Sequence, residues 1–174
     1  MLTDEQESIV NHSPDSCKLV TVQAFAGTGK TYTLHEYAKK HSTDKILYLA
    51  YNKSLAESAS FPENTKVTTI HALAYAYFIE TRNGARVDKL KRSVLTSQYN
   101  IPYDDANVIR ETLYSFLSTC DSEITEKHVI MASGKLLQCF CEYVIQTVRH
   151  IWADMINGNL PMVHDGYLKL FLMS

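Results

Sequence analysis

From its first residues the chain alternates between short apolar runs and stretches of helical period. Thr3 followed by Gln6 forms a capping box, in which the threonine hydroxyl and the glutamine amide reciprocally satisfy backbone N–H groups. It predicts a short helix through Ile9 and Val10, ended by the turn-rich residues 11–16. Leu19-Val20-Thr21-Val22 favours β-structure and predicts a first strand from Lys18 to about Gln23. Leu34, Tyr37 and Ala38 recur at helical spacing, predicting a helix from Tyr32 to His41 that Ser42-Thr43-Asp44 breaks. Ile46-Leu47-Tyr48-Leu49-Ala50 is a continuous apolar run, the pattern of a strand buried on both faces. A short helix through Leu55 and Ala59 closes before Pro62. Val67 to Ile70 reads as a third strand and His71 to Phe78 as the helix after it. Strand and helix repeated in this order point to an α/β fold with a parallel sheet and right-handed crossovers.

Beyond Glu80 the pattern is almost wholly helical. Thr81 to Gly84 is a connector, and Lys89 to Tyr99 reads as a basic amphipathic helix. Pro102 and Asp104 start another, with Ala106, Ile109, Leu113, Phe116 and Leu117 on one face. Cys120 to Lys127 is polar and loop-like. The longest predicted helix runs from about Lys135 to Met155, and Asn157-Gly158 is a fitting stop. The pattern thus divides the chain into an α/β part over residues 1–80, a helical part over 81–160 and a short remainder over 161–174.

Composition narrows the classes without choosing among them. With 174 residues and 45% hydrophobic content, the chain can bury one ordinary core. Its net charge of -2 gives no global basic field for nucleic acid, although local patches remain open. No apolar run has the length of a membrane span, and Met1 to Gln6 is unlike a secretory signal. Cys17, Cys120, Cys139 and Cys141 lack paired metal-binding spacing, which suits reduced thiols in an intracellular protein, cytoplasmic or nuclear.

The chemistry concentrates in Ala24-Phe25-Ala26-Gly27-Thr28-Gly29-Lys30-Thr31, between the first predicted strand and the helix after it. Strand, glycine-bearing loop, Lys-Thr and helix form the layout of a phosphate-binding P-loop. Gly27 and Gly29 let the backbone approach phosphate oxygens closely. The N–H groups of Ala26 to Thr31, with the positive end of the helix, then cradle phosphate. Lys30 is placed to reach the β- and γ-phosphates, and Thr31 to put its hydroxyl on Mg²⁺. These residues are the expected ATP and Mg²⁺ site, with Lys30 and Thr31 as its catalytic members. Ala24 stands where the full pattern has glycine. Ser133-Gly134-Lys135-Leu136 shares only Gly-Lys, without the strand, second glycine or threonine, and is set aside.

Four stretches in order resemble the UvrD/Rep-type superfamily 1 DNA helicases. Leu2 to Gln6 is similar to that family's Q motif, and Ala24 to Thr31 to its P-loop, where a first alanine is common. Tyr48 to Ala56 and Thr68 to Leu73 are similar to two motifs that lie along single-stranded DNA. The wording of the third stretch, and His164 to Lys169, lean toward the F-box DNA helicase branch. The resemblance implies a partial P-loop (RecA-like) three-layer core with a helical insertion subdomain. It implies that Gln6 reads adenine, a task compatible with its capping role. It also implies single-stranded DNA contacts from Tyr51, Asn52, Lys53, Thr69 and His71. Three of these have plainer rivals: Tyr51 stands one position later than the aromatic of many relatives, Lys53 could be a solvated loop lysine, and His71 a half-buried imidazole.

The chain departs from the family in one decisive respect. Its Asp-Glu pair is Asp4-Glu5, after no strand, whereas hydrolysis needs such carboxylates after an apolar strand. Val163-His164-Asp165 has Gly166 where glutamate should stand. The expectation is a truncated or split helicase segment that binds ATP·Mg²⁺ weakly and does not unwind DNA alone, with a separate chain as a possible carrier of the remaining motifs. A three-stranded sheet of this kind exposes an apolar edge and predicts marginal stability or self-association. A non-catalytic nucleotide- or partner-binding module and a small P-loop kinase are the alternatives.

Overall fold

The computed structural model describes residues 2–13, 15, 19–82, 85–133 and 138–174, the last range without the side chains of residues 138 and 139. It divides into two compact units, Met1–Ala72 and Leu73–Ser174. Residues 18, 83–84 and 134–137 lie outside the description, and with them the beginning of the first predicted strand and of the longest predicted helix.

The first unit begins with α1 (Asp4–Val10), opened by the expected capping box on Thr3 and Gln6. Helix α2 (Lys30–Lys40) starts directly after Gly29. Strands β1 (Ile46–Ala50) and β2 (Thr65–Thr69) form a parallel pair, in register from Ile46 opposite Thr65 to Ala50 opposite Thr69. The crossover between them carries α3 (Lys53–Ser58), whose start is capped by Asn52. A single side chain joins the pieces: the amide nitrogen of Asn64 lies within 3.0–3.2 Å of the carbonyls of Ala38, His41 and Asp44. The carbonyl of the same residue accepts the N–H of Ile46 at 2.9 Å. Helix α2 therefore ends where β1 begins.

Two expectations change here. Residues 19–25 are not part of a strand, because among the described residues the only sheet is the pair β1–β2. An apolar run becomes a strand by pairing; without a ladder, Leu19, Val20 and Val22 stay exposed. Strand β1 is also not buried on both faces. Ile46 and Tyr48 are half-buried, Tyr48 against the ring of Phe61 at 4.5 Å, while Leu47 and Leu49 on the other face are exposed.

The second unit is helical, with α4 (Ile70–Thr81) leading into it from the end of β2. It continues through α5 (Arg92–Gln98), α6 (Tyr103–Leu117), α7 (Glu126–Ser133), α8 (Gln138–Asn157) and α9 (His164–Met173). Its core is built where the periodicity places it. Ile109, Leu113 and Phe116 of α6 are fully buried, as are Val144, Val148 and Ile151 of α8. Each such side chain contributes about 1.5–3 kcal/mol relative to exposure. The basic helix is shorter than its pattern suggests. Val87 forms a parallel bridge with Met162, and the N–H of Asp88 donates to the Met162 carbonyl at 3.0 Å. That pairing holds the chain extended ahead of Lys89 and delays the helix to Arg92.

Helix α9 does not follow from apolar periodicity, and tight packing explains it. Gly166 is buried, and a methyl group there would stand 2.5 Å from the Met162 sulfur and 3.2 Å from Trp152 and Val163. Lys169 is buried too, donating to the carbonyls of Phe116 at 3.1 Å and Thr119 at 2.7 Å, with its ammonium 4.1 Å from the Phe116 ring. It closes the C-terminal end of α6, where unpaired carbonyls favour a cation. Burial lowers the Lys169 pKa from its ordinary value. Gly166→Ala is expected to destabilise the protein by about 1–3 kcal/mol through overpacking, measured as a lowered urea midpoint. An unchanged midpoint would show that the Met162–Trp152 packing yields freely.

Candidate functional site

The loop between residues 19–23 and α2 takes the form its glycines permit. Gly27 and Gly29 both have left-handed backbones, with φ of 81° and 76°. Glycine adopts this region at little cost, and here it lets Lys30 begin a helix immediately. The hydroxyl of Thr28 donates to the Phe25 carbonyl at 2.9 Å. The ammonium of Lys30 turns back into the loop, 2.6 Å from the Phe25 carbonyl and 3.4 Å from that of Ala24. Thr33, one turn into α2 and buried, donates to the Gly29 carbonyl at 3.1 Å. The loop is thus closed upon itself by three of its own side chains.

Helix α1 forms the other wall. The Oε1 of Gln6 accepts the Thr3 N–H at 3.0 Å, and its Nε2 donates to the Thr28 carbonyl at 3.2 Å. Between α1 and the loop lies a cleft of about 690 Å³. Ile9, Val22, Phe25 and Leu34 give it apolar walls, and Gln6 and Lys30 give it polar groups. A flat apolar ring with one hydrogen-bonding edge, carrying an anionic tail, matches such a lining.

Gln6, Thr28, Gly29 and Lys30 are therefore brought together. Ala26 and Gly27 form the turn of the loop, and Thr31 sits exposed in the first turn of α2. Sequence reasoning missed Thr33 and the Phe25 carbonyl. Thr33 carries a signal after the fact, because a threonine four residues after Gly29 can return its hydroxyl to that carbonyl.

The second predicted group gathers at the C-terminal ends of β1 and β2, which the register makes neighbours. Tyr51 is 90% exposed immediately after β1. The Asn52 side chain accepts the Leu55 N–H at 2.8 Å and so serves as a helix cap. Lys53 is exposed and lies 3.5 Å from Glu57. At the end of β2, the Thr69 hydroxyl accepts the Ala72 N–H at 3.1 Å, and His71 is exposed as the second residue of α4. Asn52 and Thr69 thus have structural tasks at helix starts, while Tyr51, Lys53 and His71 present their side chains outward.

Among the described residues no group of His, Cys, Asp or Glu is arranged to hold a metal ion. None of the described helices is long and apolar enough to cross a membrane. The described cysteines Cys120 and Cys141 are free thiols.

Gly29→Ala places a side chain on a left-handed backbone, 3.2 Å from Gln6 Nε2. It is expected to destabilise the first unit by about 1–3 kcal/mol and to raise hydrogen exchange in α1 and at the start of α2. Unchanged exchange would count against the closed loop.

No protein-family model matches the chain, and no solved structure matches it. Curated relatives do, among them two F-box DNA helicases. Over 195 aligned positions the chain is 31% identical to F-box DNA helicase protein 1 of Schizosaccharomyces pombe, covering 97% of the chain and 22% of that protein. Over 196 positions it is 30% identical to F-box DNA helicase 1 of Gallus gallus, covering 99% of the chain and 19% of that protein. The chain spans about a fifth of the length of these relatives. Across nearly all of its residues, then, this chain is homologous to a segment of the F-box DNA helicases.

Proposed function

We propose that the chain is a segment of an ATP-dependent DNA helicase motor of the UvrD type, binding ATP·Mg²⁺ through residues 24–31 and contacting single-stranded DNA beyond β1 and β2. One observation carries the reading: a homologue of DNA helicases has, at its P-loop-like motif, two left-handed glycines leading straight into a helix headed by Lys30. The elements from α1 to α4 are read as the first part of a RecA-like core, and the later helices as its insertion. A soluble, intracellular and nuclear setting belongs to the same proposal.

The residues fit the nucleotide. A side chain built on Gly27 would meet nothing within 4 Å, so the backbone can be approached closely there. Lys30 now neutralises two loop carbonyls, and it exchanges them for phosphate oxygens, which are stronger acceptors. The Thr31 hydroxyl is available to Mg²⁺, which when bound draws charge from the phosphates. Gln6 offers its second donor and second acceptor to the edge of adenine. At the strand ends, Tyr51 supplies a stacking face and Lys53 a phosphate contact, with Asn52, Thr69 and His71 shaping the same edge.

Turnover is not part of the proposal for this chain alone. In its 174 residues the only Asp-Glu pair is Asp4-Glu5, which sits in the first turn of α1. The remaining motifs, wherever they are carried, are what this reading calls for in addition. The alternative, a non-catalytic nucleotide-binding module, shares the cradle and differs at the strand ends.

Calorimetry with Mg·ATP is expected to show binding without phosphate release. Lys30→Ala should weaken that binding by roughly ten- to a hundredfold, the worth of a charge-assisted contact. Anisotropy with a labelled single-stranded oligonucleotide should show weak binding that falls with salt and falls again in Tyr51→Ala. ATP affinity indifferent to Lys30→Ala would remove the nucleotide reading; DNA binding indifferent to Tyr51→Ala would favour the module.

A further inference from the structure

The amide of Gln6 stands between two parts of the chain that local sequence does not connect. Its Oε1 is fixed by the Thr3 N–H, and its Nε2 holds the Thr28 carbonyl, 22 positions further on. That carbonyl belongs to the peptide joining Thr28 to Gly29. In a trans peptide the C=O and the following N–H point in opposite directions. Holding the carbonyl against α1 therefore also aims the Gly29 N–H the other way. The hold has a particular use here. Gly29 is achiral and populates either sign of φ about equally, so rotation of the 28–29 peptide meets little intrinsic resistance. Among the described residues, the other side-chain bonds of the loop go to different carbonyls. Thr28 and Lys30 donate to the Phe25 carbonyl, and Thr33 donates to that of Gly29.

We infer that Gln6 is a positioning residue of the phosphate loop, its amide pinning the Thr28–Gly29 peptide against α1 so that it sets polyphosphate affinity whether or not a base is present. This rests on the reading of residues 24–31 as a phosphate cradle. It differs from base recognition, in which Gln6 touches only the ring and has no influence on a ligand without one. Neutral loss of the amide frees the peptide to turn, and one donor of the cradle is then aimed correctly for only part of the time. The capping box supplies the rigidity, since it fixes the amide at its oxygen while the nitrogen does the holding.

The test uses the intact chain and Mg·tripolyphosphate, which has phosphates but no base, beside Mg·ATP. Gln6→Met should weaken tripolyphosphate and ATP alike by about three- to tenfold, the worth of one neutral hydrogen bond. In the same variant the Gly29 amide ¹⁵N resonance, which senses its own peptide carbonyl, should move while the amides of α6 and α8 stay. Gln6→Glu is the second variant. It keeps the acceptor for Thr3 and removes only the donor to Thr28. Its loss relative to wild type should persist at roughly 0.5 M salt, where the added charge is screened. Tripolyphosphate binding at wild-type strength in either variant, with ATP alone weakened, overturns the inference and leaves the nucleotide reading intact. If wild type binds neither ligand, or if Lys30→Ala binds tripolyphosphate as wild type does, the cradle reading fails and the inference fails with it.

Discussion

The first unit depends on a backbone constraint at two positions. Gly27 and Gly29 carry the chain through the left-handed region, and only that path lets a helix begin at Lys30 without an intervening turn. A helix of that start has its unpaired N–H groups directed at the loop. Everything else around the loop responds to this geometry. Lys30 folds onto carbonyls that the turn exposes, Thr33 caps the carbonyl of Gly29, and Gln6 reaches across from α1 to the one left over. The loop is ordered by four side chains, those of Gln6, Thr28, Lys30 and Thr33, because its backbone, rich in glycine, cannot order itself.

How much of this was readable from the chain follows from the range of each interaction. The capping box is a local pattern and appears as the spacing predicts, and the two glycines of the loop carry its left-handed backbones. The hold of Gln6 on Thr28 is not local, and no pattern of residue types announces it. The apolar run 19–22 looked like a strand because its composition suits one, but a strand is a property of two segments. Lys89 to Lys91 fit a helical stripe, and a bridge from Val87 to Met162 draws that part of the chain out straight instead. Helix α9 was hidden by Gly166, which reads locally as a breaker. The buried contact with Met162 and Trp152 explains why nothing larger stands there. The strand-end group divides similarly: Asn52 and Thr69 are needed as caps whatever else they do, and Tyr51, Lys53 and His71 are exposed beside them.

Charge is handled differently in the two units. In the first, Lys30 is exposed and bound only to neutral carbonyls of its own loop, so a stronger acceptor can take it. In the second, Lys169 is enclosed and committed to the end of α6. Both ammonium groups answer the same need, which is to satisfy carbonyls that no N–H reaches. Burial decides which of the two is free to change partners.

The bridge between Val87 and Met162 has a meaning beyond strand geometry. It lies beside the bond from the Arg82 guanidinium to the Ile156 carbonyl, whose partners are 74 positions apart in sequence. Together these contacts bring the path into the helices from α5 to α8 and the path out of them side by side. A segment with adjacent entry and exit costs its host little loop entropy and does not force the flanking elements apart. In evolutionary terms it is a cassette: a block of this shape can be gained, enlarged or traded within a longer chain while the elements on either side keep their register.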